Sequence, residues 1–399
     1  MLPRLPTVSN PSDSSKPRLT FSFFDRRVRA GITENPEKFL KSIDRLLTLT
    51  SGLMLYCRQM GYRREFFIMS EIIPGSNGEK YVPYSARSGK ESVVFFTRDL
   101  SAEGLKKIYA RVNGTIGGKV AVKLHTGEQH GPNIIPRDWV RSLMESAIHN
   151  ATIVETNTYY AGDRYTTEEH RETLKVNGWT FCPVDIMDEE GTDTLPIKGG
   201  KWFTRMFVGS HLKNYDSMVV LTHFKGHTQG GFGGSNKNIG IGCADGRIGK
   251  KMIHTRLGSD DMWSITQEEF MERMTESTKS VLDYFGEKLC FVNVMRNMSV
   301  SCDCEGLSAA PVVTPNVGIV ASLDILAADQ ACVDMIYAMT EEEHHDLIER
   351  MESRHGLRQL SYMKELGMGN DRYTLIDIDN NDAQITVKDA VKGLKPFQA

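Results

Sequence analysis

The chain has 399 residues, of which 40% are hydrophobic and 25% are charged. This composition is ordinary for a globular protein and excludes general disorder, a collagen and a coiled-coil rod. The formal net charge of −3 leaves no broad basic surface for DNA or RNA, so a general nucleic-acid-binding protein is excluded. No apolar run reaches the roughly 18 residues of a membrane-spanning helix, so no membrane span is predicted. The length suggests two domains or one large one.

Short β-rich runs alternate with helical patterns along most of the chain. Strands are predicted at 92–97, 119–124, 152–155, 182–186, 218–221, 289–294, 318–323 and 373–378. Helices are predicted over 101–112, from 136 onward, over 166–175, 264–284 and 324–339, and from 340 onward. This alternation predicts an α/β fold with a mainly parallel sheet flanked by helices. Ligands bind such sheets at the carboxyl ends of their strands, so the residues that follow each run are the first candidates for function.

Three segments are predicted along the chain. Residues 1–90 form an N-terminal extension, loosely ordered and peripheral to function; residues 91–380 form the α/β domain; residues 381–399 form a C-terminal tail. The beginning of the chain has no apolar core behind its charges, so a secretory signal is excluded. A cytoplasmic location is expected, with an organellar transit peptide as the alternative because arginines cluster around position 27 in a Ser-containing arm. Seven cysteines, an odd number at irregular spacing, indicate a reducing compartment.

Two predicted strands end in charged side chains. The KVAVKL run includes Lys123 and is followed by His125 and Glu128, and the ATIV run is followed by Glu155. A His and a Glu three residues apart beyond a strand can bind a metal or share a proton. A turn with a surface His is the alternative for the first group, and a helix-capping or turn carboxylate is the alternative for Glu155.

The segment after the strand at 218–221 combines polar side chains with six glycines between positions 226 and 240. Its polar members are His223, Lys225, His227, Lys237 and Asn238. Glycine lets backbone N–H groups approach an oxyanion, and lysine adds positive charge, so this glycine-rich loop is predicted to bind an anion or a metal. Neither the phosphate-binding P-loop motif nor the dinucleotide-binding glycine motif is present.

A C-x-C pair, Cys302 and Cys304, follows the strand at 289–294 and has acidic neighbours. Two thiolates can bind a soft metal, or the pair can be two thiols in a turn. Two cysteines cannot hold a four-iron cluster alone, so a cluster would also need thiols such as Cys243 and Cys332. A redox disulfide is disfavoured because C-x-C closes a tighter ring than C-x-x-C.

Two aspartates mark the helix predicted over 324–339. Asp324 is expected to cap it. Asp329 lies within its second turn and faces either the site or solvent.

Taken in order, these motifs resemble the domain of unknown function 362 family over residues 92–380. The matching residues are Lys123, then Lys225 and His227, then Lys237, Asn238 and Gly240, and finally Asp324, Ala327 and Asp329. Many members resemble, or are fused to, ferredoxin modules with a C-x-x-C-x-x-C-x-x-x-C-P run, which this chain lacks. The resemblance therefore implies a fold and a site region more firmly than an activity or an iron–sulfur cluster.

The first hypothesis is an enzyme that acts on a small anionic substrate, with or without a divalent metal. The candidate catalytic residues are His227, His223, Glu128 and His125. The candidate ligand-binding residues are Lys123, Lys225, Lys237, Asn238, Glu155, Asp324 and Asp329, and the candidate metal ligands are Cys302 and Cys304.

The alternative is an iron–sulfur or redox partner protein that uses Cys302, Cys304 and other thiols. A binding module without catalysis is the third hypothesis. The sequence does not define the reaction or the oligomeric state.

Overall fold

The computed structural model describes residues 78–398. The part of the predicted extension before Gly78 lies outside the described residues, as do the transit-peptide alternative and Cys57. The described strands are β1 (Glu91–Thr97), β2 (Val120–Lys123), β3 (Ala151–Glu155), β4 (Val184–Ile186), β5 (Thr192–Pro196), β6 (Arg205–Gly209), β7 (Ser217–His223), β8 (Lys225–His227), β9 (Gly231–Gly233), β10 (Leu289–Met295), β11 (Gly318–Ser322), β12 (Arg372–Asp377) and β13 (Ala383–Ile385).

The α-helices of the same part of the chain lie between these strands. They are α1 (Ala102–Tyr109), α2 (Arg137–Ser146), α3 (Thr167–Val176), α4 (Ser235–Gly242), α5 (Gly249–His254), α6 (Gln267–Phe285), α7 (Ile325–Ala338), α8 (Glu341–Ser353), α9 (Arg358–Glu365) and α10 (Val387–Val391). None of the described helices is both long and apolar enough to cross a membrane.

Nine strands form one twisted sheet in the order β13-β12-β1-β11-β10-β7-β2-β3-β4. The five strands from β10 to β4 run parallel to one another. Strand β11 runs antiparallel to both of its neighbours, β1 and β10. The prediction of a mainly parallel sheet flanked by helices is confirmed, and β11 makes the sheet mixed.

Two hydrophobic cores cover the two faces of the sheet. Side chains of a strand alternate between faces, so Val120 and Val122 pack in one core whereas Ala121 between them packs in the other. The first core contains Leu105 of α1 and Leu143 of α2. The second core contains apolar residues of α6 and α7. The central strands are therefore buried on both sides, which explains why they read as continuous apolar runs.

The predicted glycine-rich loop is not a loop throughout, and this part of the prediction is corrected. Strands β8 and β9 pair as a short antiparallel hairpin, and α4 follows directly. Gly240 permits close packing of α4 on α6, because a Cβ atom there would lie 2.5 Å from the carbonyl oxygen of Met274. The glycines thus allow the backbone to pack closely around a hairpin and a helix. The hydrophobic periodicity of the sequence does not reveal this role.

Both ends of the described chain join the sheet or its helices. Arg87, which precedes β1, forms a buried bidentate ion pair with Asp334 of α7 at 2.7 and 2.6 Å. At the other end, β13 pairs with β12, so the segment predicted as a tail supplies an edge strand. These contacts join residues on either side of the predicted divisions at positions 90 and 380. The divisions themselves stay a prediction.

Asp329 lies in a buried polar network beneath α4 and not in solvent. Its carboxylate accepts hydrogen bonds from the backbone N–H groups of Ser235 and Asn236, at 2.7 and 2.9 Å, and from the Asn293 side chain at 2.9 Å. Burial raises the pKa of Asp329 to about 6. The two backbone hydrogen bonds fix the start of α4, the helix that carries Lys237 and Asn238. Asp329 therefore holds these two residues in place.

Asp329→Asn is expected to lower the free energy of unfolding by about 2 kcal/mol, because the new NH2 group must face an N–H donor in either orientation. Denaturant unfolding of both proteins at neutral pH measures the difference. Asp389→Asn, at the exposed start of α10, is the matched control and is expected to change the same quantity by less than about 0.5 kcal/mol. Equal effects at the two positions would contradict a buried network that needs both acceptor oxygens.

Candidate functional site

The carboxyl ends of β2, β3, β7 and β10 meet at one edge of the sheet, because these strands are parallel neighbours. Lys123, Glu155 and His223 lie at three of these ends. The hairpin β8–β9, the start of α4 and the cysteine loop, defined here as residues 301–306, lie over the same edge. The predicted grouping of side chains from distant parts of the sequence is therefore observed.

Asp303 anchors the cysteine loop to the sheet edge. Its buried carboxylate lies 2.8 Å from Lys225 Nζ and 2.9 Å from His223 Nδ1. Burial alone would raise the pKa of Asp303, but His223 and Lys225 hold it well below its usual range. The other ring nitrogen of His223, Nε2, lies 2.6 Å from the carbonyl oxygen of Arg296. Both nitrogens of His223 face acceptors, so this side chain positions the loop and has no free nitrogen for acid–base work.

A second chain of ion pairs runs beside this anchor. Glu155 lies 3.0 Å from Lys123 Nζ and 3.5 Å from Arg164, and Arg164 continues to Glu128 at 2.9 Å. Tyr160 donates a 2.6 Å hydrogen bond to the same oxygen of Glu128. The other oxygen of Glu128, Oε2, is buried and has no hydrogen-bond partner in the described part of the chain. A buried carboxylate oxygen of this kind is available to a ligand or a water molecule.

The sulfur of Cys302 lies at the centre of a group of hydrogen-bond donors, called here the sulfur cage: His125, His227, Lys237 and Cys304. Lys237 Nζ lies 3.6 Å and His125 Nε2 lies 3.9 Å from Sγ. The ligand atoms of His227 and Cys304 lie within 4.8 Å of this sulfur and of each other. Cys302 is 1% exposed, whereas His125 and Cys304 are partly exposed, so the side of the cage that faces solvent is theirs.

Backbone amides fix the tautomers of the two histidines in the sulfur cage. The N–H of Gly127 donates to Nδ1 of His125 at 3.0 Å, and the N–H of Gly230 donates to Nδ1 of His227 at 2.8 Å. An imidazole nitrogen that accepts a hydrogen bond carries no proton, so the neutral ring carries its proton on Nε2. The Nε2–H group of His125 then donates toward the Cys302 sulfur, and His227 lies beside the same sulfur in the same tautomer.

The pKa shifts agree with this arrangement. Burial lowers the pKa of His125 to about 4, and burial together with Lys237 lowers the pKa of His227, so both rings are neutral at pH 7. Burial alone would raise the pKa of the Cys302 thiol, but the neighbouring Cys304, Lys237 and His227 hold it well below its usual range. The neighbouring Cys302 sulfur and burial hold the pKa of Cys304 well above its usual range. These opposite directions favour a thiolate at Cys302 and a thiol at Cys304.

The described residues also contain two groups whose donor atoms could hold a metal ion. In one, the ligand atoms of His227, Cys302 and Cys304 all lie within 4.8 Å of one another. The other joins Asp185, Glu189 and His211. Within residues 78–398, neither Cys243 nor Cys332 belongs to either group.

Some predicted site residues lie elsewhere or have other contacts. Asp324 caps α7 through the N–H of Ala327 and lies after β11, which is antiparallel to β10, so it is at the opposite edge of the sheet from Cys302. Asn238 lies at the site and ties two strands together through the carbonyl oxygens of Lys123 and Leu221. As sites for a ligand, these positions stay predictions.

Sequence reasoning missed Asp303, Arg164 and Tyr160. The position of Asp303 between the two cysteines was the available signal, since a carboxylate there must face whatever the cysteine loop packs against. Arg164 and Tyr160 lie between β3 and α3, in a segment without strand or helix periodicity. No local pattern marks them.

Comparison with known proteins adds two likenesses of low identity, and no curated protein matches the sequence. A Thermotoga maritima protein solved by the Northeast Structural Genomics Consortium is 12% identical over 48% of this chain and 49% of its own, with a TM-score of 0.30. This chain thus spans about half the length of that protein. The lactate racemase apoprotein from Thermoanaerobacterium thermosaccharolyticum is 12% identical over 71% of this chain and 82% of its own, with a TM-score of 0.31.

One family model matches the sequence, and its description is "Domain of unknown function (DUF362)". The match runs over residues 120–334, from β2 to α7. It therefore includes the sheet edge, the hairpin, α4 and the cysteine loop. Since the matched residues are more than half of the chain, the protein belongs to the DUF362 family.

Proposed function

We propose that this protein is an enzyme that acts on a small anionic substrate bound beside Cys302. The observation that supports it most directly is the environment of Lys237. The Lys237 residue is 7% exposed, yet within residues 78–398 no carboxylate lies within salt-bridge distance of its ammonium group, and the hydrogen-bond partner of that group is the Cys302 sulfur. A buried cation is costly unless it is paired, and one sulfur leaves further N–H donors of the ammonium available to an anion.

The neighbouring cations of the hairpin and of the ion-pair chain are already held by carboxylates. Lys225, the other lysine of the hairpin region, is neutralised by Asp303, and Arg164 is neutralised by two glutamates. Gly233 lies between the two lysine side chains, because a Cβ atom there would be 3.6 Å from Lys225 Cε and 3.9 Å from Lys237 Cδ. The absent side chain leaves room beside the ammonium, and Glu128 Oε2 can accept a proton-bearing group of the ligand.

A metal-dependent enzyme is the second candidate function, and the close grouping of His227, Cys302 and Cys304 favours it. Two thiolates and one imidazole with an open fourth position form a donor set that suits catalytic zinc, which would supply Lewis-acid chemistry. The amides at Nδ1 of His227 weigh against it, because coordination through Nε2 would leave that ring without a proton.

Lys237→Met is expected to weaken the binding of small anions by about tenfold or more, because a charge-assisted hydrogen bond is lost. Isothermal titration calorimetry with oxalate, inorganic phosphate and sulfate measures the change. Lys198→Met, at an exposed lysine, is the matched control and should bind like the unaltered protein. The same affinity in the Lys237 variant, with an unchanged melting temperature, would mean that the anion binds elsewhere.

The metal-dependent candidate predicts stoichiometric zinc, manganese or iron in protein purified without oxygen. Elemental analysis should then show loss of the metal in His227→Ala and in Cys304→Ser, because each variant removes one ligand of three. Cys182→Ser, a half-buried thiol outside both groups, is the control and should retain it. Protein without stoichiometric metal, or metal retained in both variants, would reject this candidate. Iron with sulfide would revive the cluster hypothesis.

A further inference from the structure

We propose that Cys302 is a nucleophile that forms a covalent bond through its sulfur to an electrophilic carbon of a small anionic molecule. The inference rests on the proposed function, because the anion site is what brings the electrophile to the sulfur. It adds the reacting atom and the class of step, covalent catalysis by a thiolate.

Among residues 78–398, the side chains that hydrogen-bond to the Cys302 sulfur are donors. Lys237 supplies an ammonium at 3.6 Å, and His125 supplies an Nε2–H at 3.9 Å. A neutral thiol is buried readily without such partners, whereas a buried thiolate needs donors. The donor arrangement therefore matches the anionic form of Cys302, which is the nucleophilic form.

The same geometry distinguishes a nucleophile from a metal ligand. Histidines that bind metals usually donate their other N–H to a carboxylate, a backbone carbonyl or water. Nδ1 of His227 instead accepts from the N–H groups of Gly230 and Gln229, at 2.8 and 3.2 Å. His125 repeats the pattern with Gly127. Two histidines fixed in the same tautomer lie beside one sulfur, and the Nε2–H group of His125 faces it, an arrangement that suits a negative sulfur.

The surroundings also hold the sulfur in place. The side chain of Glu305 accepts from the N–H of Cys302 at 3.1 Å and from Ser301 Oγ at 2.7 Å. Asp303, between the two cysteines, is held by Lys225 and His223. The loop is thus fixed on both sides of Cys302, and the sulfur needs little reorganisation before it reacts.

The bond changes of the proposed step are balanced. The electron pair of the Cys302 sulfur forms the new S–C bond. With an alkylating substrate, the pair of the broken bond leaves with the displaced group. With a carbonyl substrate, the π pair moves to oxygen, and the Lys237 ammonium gives that oxygen a proton and becomes a neutral amine. Neither case needs an oxidant, a reductant or a metal.

Iodoacetate and iodoacetamide are suitable probes because they have the same reactive carbon and differ in charge. In the folded 399-residue chain, iodoacetate is expected to modify Cys302 about tenfold or more faster than it modifies Cys182. At Cys302 it should also react faster than iodoacetamide, because Lys237 attracts the carboxylate. Quenched time courses with peptide mass mapping identify the modified residue without any variant. Lys237→Arg should keep the preference for iodoacetate, and Lys237→Met should lose it.

Two results would overturn the proposal. One is a Cys302 that stays unmodified in the folded protein but reacts after unfolding. The other is stoichiometric metal whose removal is required before Cys302 reacts. Calorimetry with oxalate tests anion binding separately from alkylation. Anion binding without alkylation of Cys302 rejects the nucleophile alone, whereas the absence of both anion binding and alkylation rejects the proposed function as well.

Discussion

The ion pairs of Asp303 with Lys225 and His223 connect the part of the protein that carries the cysteines to the part that forms the sheet. All three side chains are buried, so the Asp303 carboxylate and the groups that face it offset one another's cost of burial. The contact joins residues 80 positions apart in the sequence and places the cysteine loop over the end of β7. The position of Cys302 relative to Lys237 follows from this contact, since Lys237 lies on a helix whose start Asp329 fixes independently.

Much of the fold was predictable because its strongest signals are local. Strands of the parallel part are buried on both faces and appear as apolar runs, and helices such as α3 and α8 begin with capping boxes that the sequence displays. The hairpin and α4 were not predicted because their residues are chosen for close packing, as at Gly240, and not for periodicity. The direction of β11, which places Asp324 at the opposite edge of the sheet from Cys302, was not predicted either.

The side chains at the strand ends were predictable from the sequence, but the ion pairs among them were not. The rule that ligands bind at strand carboxyl ends selected Lys123, Glu155 and His223. It could not show that His223 has both nitrogens engaged, or that Arg164 neutralises two glutamates from different loops. Such pairing depends on which distant segments meet, so it requires the three-dimensional structure. Pairing matters for the proposal, because it separates cations held by carboxylates, such as Lys225 and Arg164, from Lys237, which has no carboxylate within salt-bridge distance among residues 78–398.

In the proposed reaction, Lys237 has two roles: it binds the anion and it stabilises the Cys302 thiolate. Before reaction its positive charge is shared between the Cys302 thiolate and an incoming anion, so the two compete for its N–H groups. Formation of the S–C bond removes the negative charge of the sulfur. With an alkylating substrate, the Lys237 ammonium then interacts with the anionic group of the adduct alone. The adduct is therefore held more tightly than the substrate. The proposed step therefore uses one cation twice, because Lys237 stabilises the nucleophile before the attack and the anionic group of the adduct after it.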